Sequence, residues 1–267
     1  MIISCIQTGP TKGHTQANKD AVEERVLAAD ADLVVLPELF ASGYFFDSTE
    51  QAAALAESVP DGPTTHRLHS WARATGATIV AGLPERDGDA LYNSAVVVTP
   101  NGWLGTYRKT HLFYEETLHF EPGADGFKVW TVTDRNRRSY RLGVMICFDW
   151  FFPESARTLA LNGADVIAHP SNLVLPHCPT AMPIRALENG VFTATANRVG
   201  TESNGAESLT FIGRSVICSP SADVLASAPE AEEAVIRAEI DPHAARETAL
   251  NPYNDRHRDR RPQLYVR

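Results

Sequence analysis

The chain has 267 residues, 43% of them hydrophobic and 21% charged, with a formal net charge of −9. These proportions exclude a disordered, collagen-like or disulfide-scaffold protein, and the acidic balance argues against nucleic acid as the main partner. A chain of this length buries roughly 70–75% of its extended surface on folding, enough for one large core.

In chain order, residues 2–6 read as a buried strand, and residues 16–29 as a helix with Ala17, Val22, Val26 and Leu27 at helical spacing. Residues 33–36 form a short apolar strand that stops at Pro37. A helix is expected over 64–75, with Leu68, Trp71 and Ala72 on one face, then a strand over 78–83. Strand patterns follow at 91–98, 103–108, 127–132 and 140–146, and Asn101-Gly102 between two of them is a hairpin signal. Residues 152–162 read as a helix with Pro153 in its first turn and Gly163 as its stop. A strand at 166–169, a helix at 182–190 and strands at 191–196, 216–219 and 235–240 complete the series.

About ten to twelve strands exceed what one open sheet usually holds, so the pattern predicts mixed sheets, stacked and covered by helices. Composition does not shift along the chain, so residues 1–267 are expected to form a single α/β domain. No apolar run reaches the roughly 18–20 residues a membrane span needs. The start carries neither a basic region nor a cleavage site, so no signal peptide is expected and the expected location is the cytoplasm. Cys5, Cys147, Cys178 and Cys218 are then expected to be thiols. The tail 255–267 carries five arginines but also Asp255 and Asp259, so it reads as solvated or partner-docked rather than as a nucleic-acid arm, and residues 251–267 as a whole, with Tyr253 and Leu264-Tyr265-Val266, are expected to dock on a partner subunit.

Three apolar strands end in a reactive side chain: Val34-Val35-Leu36-Pro37-Glu38, Gly105-Thr106-Tyr107-Arg108-Lys109 and Leu142-Gly143-Val144-Met145-Ile146-Cys147. Taken singly, each residue has an ordinary structural explanation, such as a cap, a solvated lysine or a small buried hydrophobe. Together they are complementary. A thiol needs a base to become a nucleophile. A carboxylate in an apolar pocket gains affinity for protons. An ammonium can stabilise a developing oxyanion. This is the minimum set for acyl transfer through a thioester.

The segments Leu36-Pro37-Glu38-Leu39-Phe40, Tyr107-Arg108-Lys109-Thr110-His111-Leu112-Phe113 and Ile146-Cys147-Phe148-Asp149-Trp150-Phe151-Phe152-Pro153-Glu154 resemble the three signatures of the nitrilase, or carbon–nitrogen hydrolase, superfamily. Arg185-Ala186-Leu187-Glu188-Asn189 extends the resemblance towards the tail. The resemblance implies a four-layer α-β-β-α sandwich, paired into a homodimer or higher homo-oligomer. It implies Glu38 as general base and acid, Lys109 as electrophilic support and Cys147 as nucleophile. It also implies a second glutamate in the His-Leu-Phe region; of the neighbours Glu115 and Glu116 we favour Glu116, with Glu115 at the surface.

True nitrilases typically read Cys-Trp-Glu at the nucleophile, whereas this chain reads Cys147-Phe148-Asp149-Trp150. Many carbamoylases place a basic cluster just downstream; here Trp150, Phe151 and Phe152 stand instead. The pattern resembles short-chain aliphatic amidases, so the expected substrate is a small neutral amide, held by Phe148, Trp150, Tyr44, Tyr114 and Asn172. A nitrilase, an N-carbamoyl amine or amino-acid hydrolase, and a non-catalytic binding member are the alternatives. No cofactor is expected. The nine histidines show no zinc-ligand spacing, so no metal is expected. Glu154 with Arg157, and Arg185 with Glu188, have the spacing of ion pairs bracing the site. Cys178, between His177 and Pro179, reads as a loop thiol.

Overall fold

A computed structural model describes residues 1–205 and 207–265. In chain order its elements are β1 (Ile2–Gln7), α1 (Thr15–Leu27), β2 (Leu33–Val35), α2 (Thr49–Leu55), α3 (Pro63–Thr75), β3 (Thr78–Asp87), β4 (Ala90–Thr99), β5 (Gly102–Arg108), α4 (Glu116–His119), β6 (Val129–Thr133) and β7 (Ser139–Val144). There follow α5 (Pro153–Leu161), β8 (Val166–Pro170), α6 (His177–Asn189), β9 (Phe192–Ala196), β10 (Val199–Asn204), β11 (Glu207–Ile212), β12 (Val216–Cys218), β13 (Val224–Ser227) and β14 (Ala234–Glu239). Val266 and Arg267, part of the expected docking tail, lie outside the described residues.

Parallel strands are buried on both faces, so their sequences run continuously apolar rather than alternating. That is why Leu33–Val35 and Val166–Pro170 occupy sheet centres. In the first sheet, β1, β2 and β3 run parallel, flanked by antiparallel β14 on one side and the β4–β5 hairpin on the other. The second sheet repeats the plan: β9, β8 and β7 run parallel, with antiparallel β12 and β13 on one side and β6 on the other.

Alternation along these strands builds the layers. Ile3, Cys5, Val35, Val80 and Val97 face Tyr140, Leu142, Val144, Val166 and Ala168 between the sheets. Val34, Leu36, Ile79 and Val96 point the other way, onto Val22 and Val26 of α1 and Leu68 and Trp71 of α3. Ala156 and Leu159 of α5 and Met182 and Ala186 of α6 cover the outer side of the second sheet. The result is the expected α-β-β-α sandwich.

Several elements differ from expectation. The strands at 78–83 and 91–98 are parts of one long hairpin turned at Gly88, which adopts φ +60°. Helix α6 starts at His177, five residues early, with Pro183 inside it. Pro183, the seventh residue of the helix, has no N–H to donate to the Pro179 carbonyl. Cys178 is therefore not a loop thiol: it lies in α6, fully buried, and burial pushes its thiol well up. The β10–β11 hairpin was not expected, because its buried side chains include Glu202 and its strands lack apolar alternation. No described helix is long and apolar enough to cross a membrane.

Candidate active site

The segment after β2 continues along β3 without joining its regular ladder. Leu36 N donates to Val80 O at 2.8 Å, and Phe40 N donates to Gly82 O at 3.1 Å. Glu38 is thereby pressed against Gly82, where an added Cβ would stand 2.5 Å from Glu38 Cα. Only glycine permits that approach. Lys109, just past β5, is pinned by its own N–H to Asn93 O and by Gly123 N to its carbonyl, both at 2.8 Å. Cys147 opens a short 3-10 turn, Cys147–Phe151, beyond β7. Each segment carries a non-glycine residue in the left-handed region: Leu39 at φ +49°, Tyr114 at +53° and Cys147 itself at +38°. Such backbone is held only where the surroundings over-determine it, and it concentrates at functional sites.

The three segments converge. Lys109 Nζ donates to Glu38 Oε1 and to Glu116 Oε1, both at 2.7 Å. Asn93 Nδ2 also donates to Glu38 Oε1, at 2.7 Å, and the Tyr44 hydroxyl donates to Glu116 Oε1 at 2.6 Å. All five side chains are buried. Glu38 Oε2 has no hydrogen-bond partner among the described residues, so one oxygen of this carboxylate stays free to take a proton. Burial raises Glu38 to about 7, against the pull of Lys109. Burial alone would lower Lys109, but Glu116 and Glu38 outweigh it, so the amine stays an ammonium. Burial and the Glu38 charge raise the Cys147 thiol well above its usual range, while Lys109 pulls it back. The resting sulfur is therefore a thiol that needs a base.

A second set of polar residues, not anticipated from the sequence as functional, holds the nucleophile turn. The fully buried Asp149 carboxylate accepts from Ile146 N at 2.8 Å, the Tyr107 hydroxyl at 2.7 Å, His111 N at 3.2 Å and His111 Nδ1 at 2.7 Å. Tyr107 and His111 flank Lys109, so Asp149 ties the lysine segment to the cysteine turn. His111 also stacks on Phe152, ring centroids 3.8 Å apart. From β8, the buried His169 reaches the Cys147 carbonyl at 2.9 Å. The signal that could have found Asp149 is its place two residues past the nucleophile, since the first turn of a helix leaves N–H groups for a carboxylate to cap.

A cavity of about 80 Å³ opens over Cys147, lined by Phe113, Phe148, Trp150, Phe151, Asn172, Leu173, Val174, Leu175 and His177. Of the residues expected to hold the substrate, Phe148, Trp150 and Asn172 line this cavity. Neither polar atom of the buried Asn172 side chain has a partner among the described residues. Tyr44 and Tyr114 do not line this cavity. Tyr44 is buried behind it on Glu116, because its hydroxyl is the donor that carboxylate needs. Tyr114 is 49% exposed and donates to Glu207 Oε2 at 2.5 Å on the outer rim. Glu116, not Glu115, meets Lys109; Glu115 accepts from Asn204 Nδ2 at 3.2 Å, away from the cluster. Arg185 and Glu188 pair at 3.0 Å, but Glu154 is exposed, and Arg157 donates instead to the Glu188 carbonyl. Among the described residues no group of three or more His, Cys, Asp and Glu side chains is arranged to hold a metal ion.

A thiol beside a lysine-bridged pair of carboxylates, on a two-sheet sandwich, supplies the groups that acyl transfer through a thioester needs. The chain belongs to the carbon–nitrogen hydrolase family, within the nitrilase superfamily; the family model matches residues 3–250. It is 54% identical over 258 residues to a nitrilase of Pyrococcus abyssi, covering 97% of this chain and 94% of the relative. It is 32% identical to an N-carbamoylputrescine amidase of Solanum lycopersicum, covering 92% and 87%. A mutant of the amidase from Nesterenkonia sp. AN1, with the acetamide moiety of fluoroacetamide added at its active-site cysteine, superposes with a TM-score of 0.79. It is 26% identical, over 99% of this chain and 95% of that one.

Proposed function

We propose that this protein is a cysteine-dependent amidase that hydrolyses small, uncharged aliphatic carboxamides to the acid and ammonia through a thioester on Cys147. The observation that carries the reading is the Glu38–Lys109–Glu116 cluster, with Lys109 Nζ 2.7 Å from each carboxylate, set beside a thiol at a small apolar cavity. Cys147 Sγ attacks the carbonyl carbon as its proton passes to the free Oε2 of Glu38. The oxyanion is met by the Lys109 ammonium and the backbone N–H of Phe148, donors of a kind worth about 3–4 kcal/mol of barrier. Collapse of the adduct expels the amine, which takes the proton from Glu38 and leaves as ammonia. Water then loses a proton to Glu38, attacks the thioester and releases the acid and the thiol. Glu116 orients the lysine and the substrate nitrogen.

The cavity supports the substrate class. Its size suits a short acyl chain, and Phe113, Phe148, Trp150 and Leu173 present no charge to one. Among the described residues that line it there is no Lys, Arg, Asp or Glu, which disfavours carbamoyl substrates that end in a carboxylate or an ammonium. Asn172 offers an unpaired amide to the reacting group. The 54% identity to the Pyrococcus abyssi nitrilase favours a second reading, in which the same thiol adds to a nitrile to give a thioimidate, and water adds to this and displaces ammonia to leave the same thioester. That the Nesterenkonia neighbour is an amidase, whose active-site cysteine a molecule as small as fluoroacetamide can reach, favours the first. Ammonia release across aliphatic, aromatic and carbamoyl amides and nitriles separates them. The proposal predicts that short aliphatic amides give the highest kcat/KM and that Cys147→Ala gives none. Faster release from nitriles would establish the second reading instead, and an inert wild type would indicate a non-catalytic binding member.

A further inference from the structure

His169 lies on β8 with no exposed surface and takes no part in the steps above. Its ring has three partners: Nε2 lies 2.9 Å from the Cys147 carbonyl oxygen and 3.2 Å from Ser171 Oγ, whose hydroxyl can donate to the His169 carbonyl, and Nδ1 lies 3.0 Å from Thr195 Oγ1. A carbonyl oxygen can only accept, so Nε2 carries the hydrogen and Nδ1 is left to accept from the Thr195 hydroxyl. Burial lowers His169 to about 4, so the ring is neutral near pH 7, and this single tautomer fits all three contacts, with the Nε2 hydrogen facing both the Cys147 carbonyl and Ser171 Oγ.

The gripped carbonyl belongs to the peptide unit joining Cys147 to Phe148. A trans peptide is planar, with its C=O and N–H pointing in opposite directions. Fixing the carbonyl from β8 therefore fixes the Phe148 N–H on the opposite side. Among the described residues no acceptor takes that N–H. Cys147 holds φ +38°, outside the range an L-residue prefers, so without a tether this peptide unit would relax. We propose that His169 is a positioning residue that aims the Phe148 N–H at the developing oxyanion by holding the Cys147 carbonyl. Thr195 braces the ring from the other side, its hydroxyl donating to Nδ1 in the tautomer that the Cys147 carbonyl requires.

The inference rests on the thioester reading above, and the two fail differently. Measurable amide turnover by Cys147→Ala would refute the reading itself. The inference is tested by pairing amide turnover with alkylation of Cys147 by iodoacetamide. Alkylation needs the sulfur but forms no oxyanion. His169→Leu is expected to lower kcat on the order of 100-fold, with KM and the alkylation rate within about twofold of wild type. His169→Gln, which keeps a donor at the end of its side chain, is expected to recover most of kcat. Thr195→Val, nearly isosteric, is expected to lower kcat several-fold with alkylation unchanged, and it decides the matter should His169→Leu not fold. Parallel loss of alkylation and turnover, a Gln variant as poor as Leu, or unchanged kcat in Thr195→Val would overturn the inference.

Discussion

The base assigned to Glu38 has a pH signature. Burial raises its carboxyl to about 7, so the proton-accepting form is lost as pH falls through that value. The acid limb of kcat/KM is therefore expected to bend near pH 7 and to drop about tenfold per unit below it. Glu38→Gln should abolish the limb together with most of the activity. A profile flat down to pH 5 would contradict the assignment. The adjacent glutamates separate in the same way. Glu116 is buried on Lys109, whereas Glu115 faces Asn204. Steady-state kinetics of Glu116→Gln should show kcat/KM reduced by about 100-fold or more, because the ammonium loses an anchor. Glu115→Gln should remain within about twofold of wild type, and the reverse ranking would show that the wrong neighbour was chosen.

At the scale of elements, the site is held together by side chains that bridge segments. Asp149 accepts four hydrogen bonds from the cysteine turn and the lysine segment, with no exposure to water. Asp149→Asn preserves shape but sets an amide against those donors. A loss of about 2–4 kcal/mol of stability is expected, read as a Tm lower by several degrees, with reduced turnover. An unchanged Tm would remove Asp149 from this role. Much at this scale was legible in the sequence. Buried parallel strands announce themselves as short apolar runs, and Glu38, Lys109 and Cys147 stand directly after theirs. What was not legible depends on partners distant in the chain. Tyr44 and Tyr114 are both tyrosines near candidate segments, and nothing local says that one donates to a buried carboxylate and the other to a surface one. His169 looks like any core histidine until the Cys147 carbonyl is seen against it. The β10–β11 hairpin is polar because one face is open to water, so its pattern resembles a loop.

At the scale of the molecule, two similar sheets packed face to face fix the strand ends that carry Glu38 and Cys147 on opposite layers, meeting at one edge of the sandwich. The outer surface is less finished. Tyr253 is 86% exposed and Leu264 64% in the tail, and Ile184 and Leu187 of α6 are exposed as well. We propose that a second copy of the chain covers this apolar area. Truncation after Leu250 is expected to shift the protein to monomer in size-exclusion chromatography with light scattering. A wild type that is already monomeric, or a truncated form that stays assembled, would contradict a role for the tail in pairing.

The most direct test of the account is rapid-quench mass spectrometry of the wild-type protein during turnover of a short aliphatic amide such as propionamide. The account predicts a transient acyl mass on the peptide containing Cys147, absent from Cys147→Ala. Turnover with no covalent species, or an acyl mass mapping to Cys178 or another thiol, would contradict it.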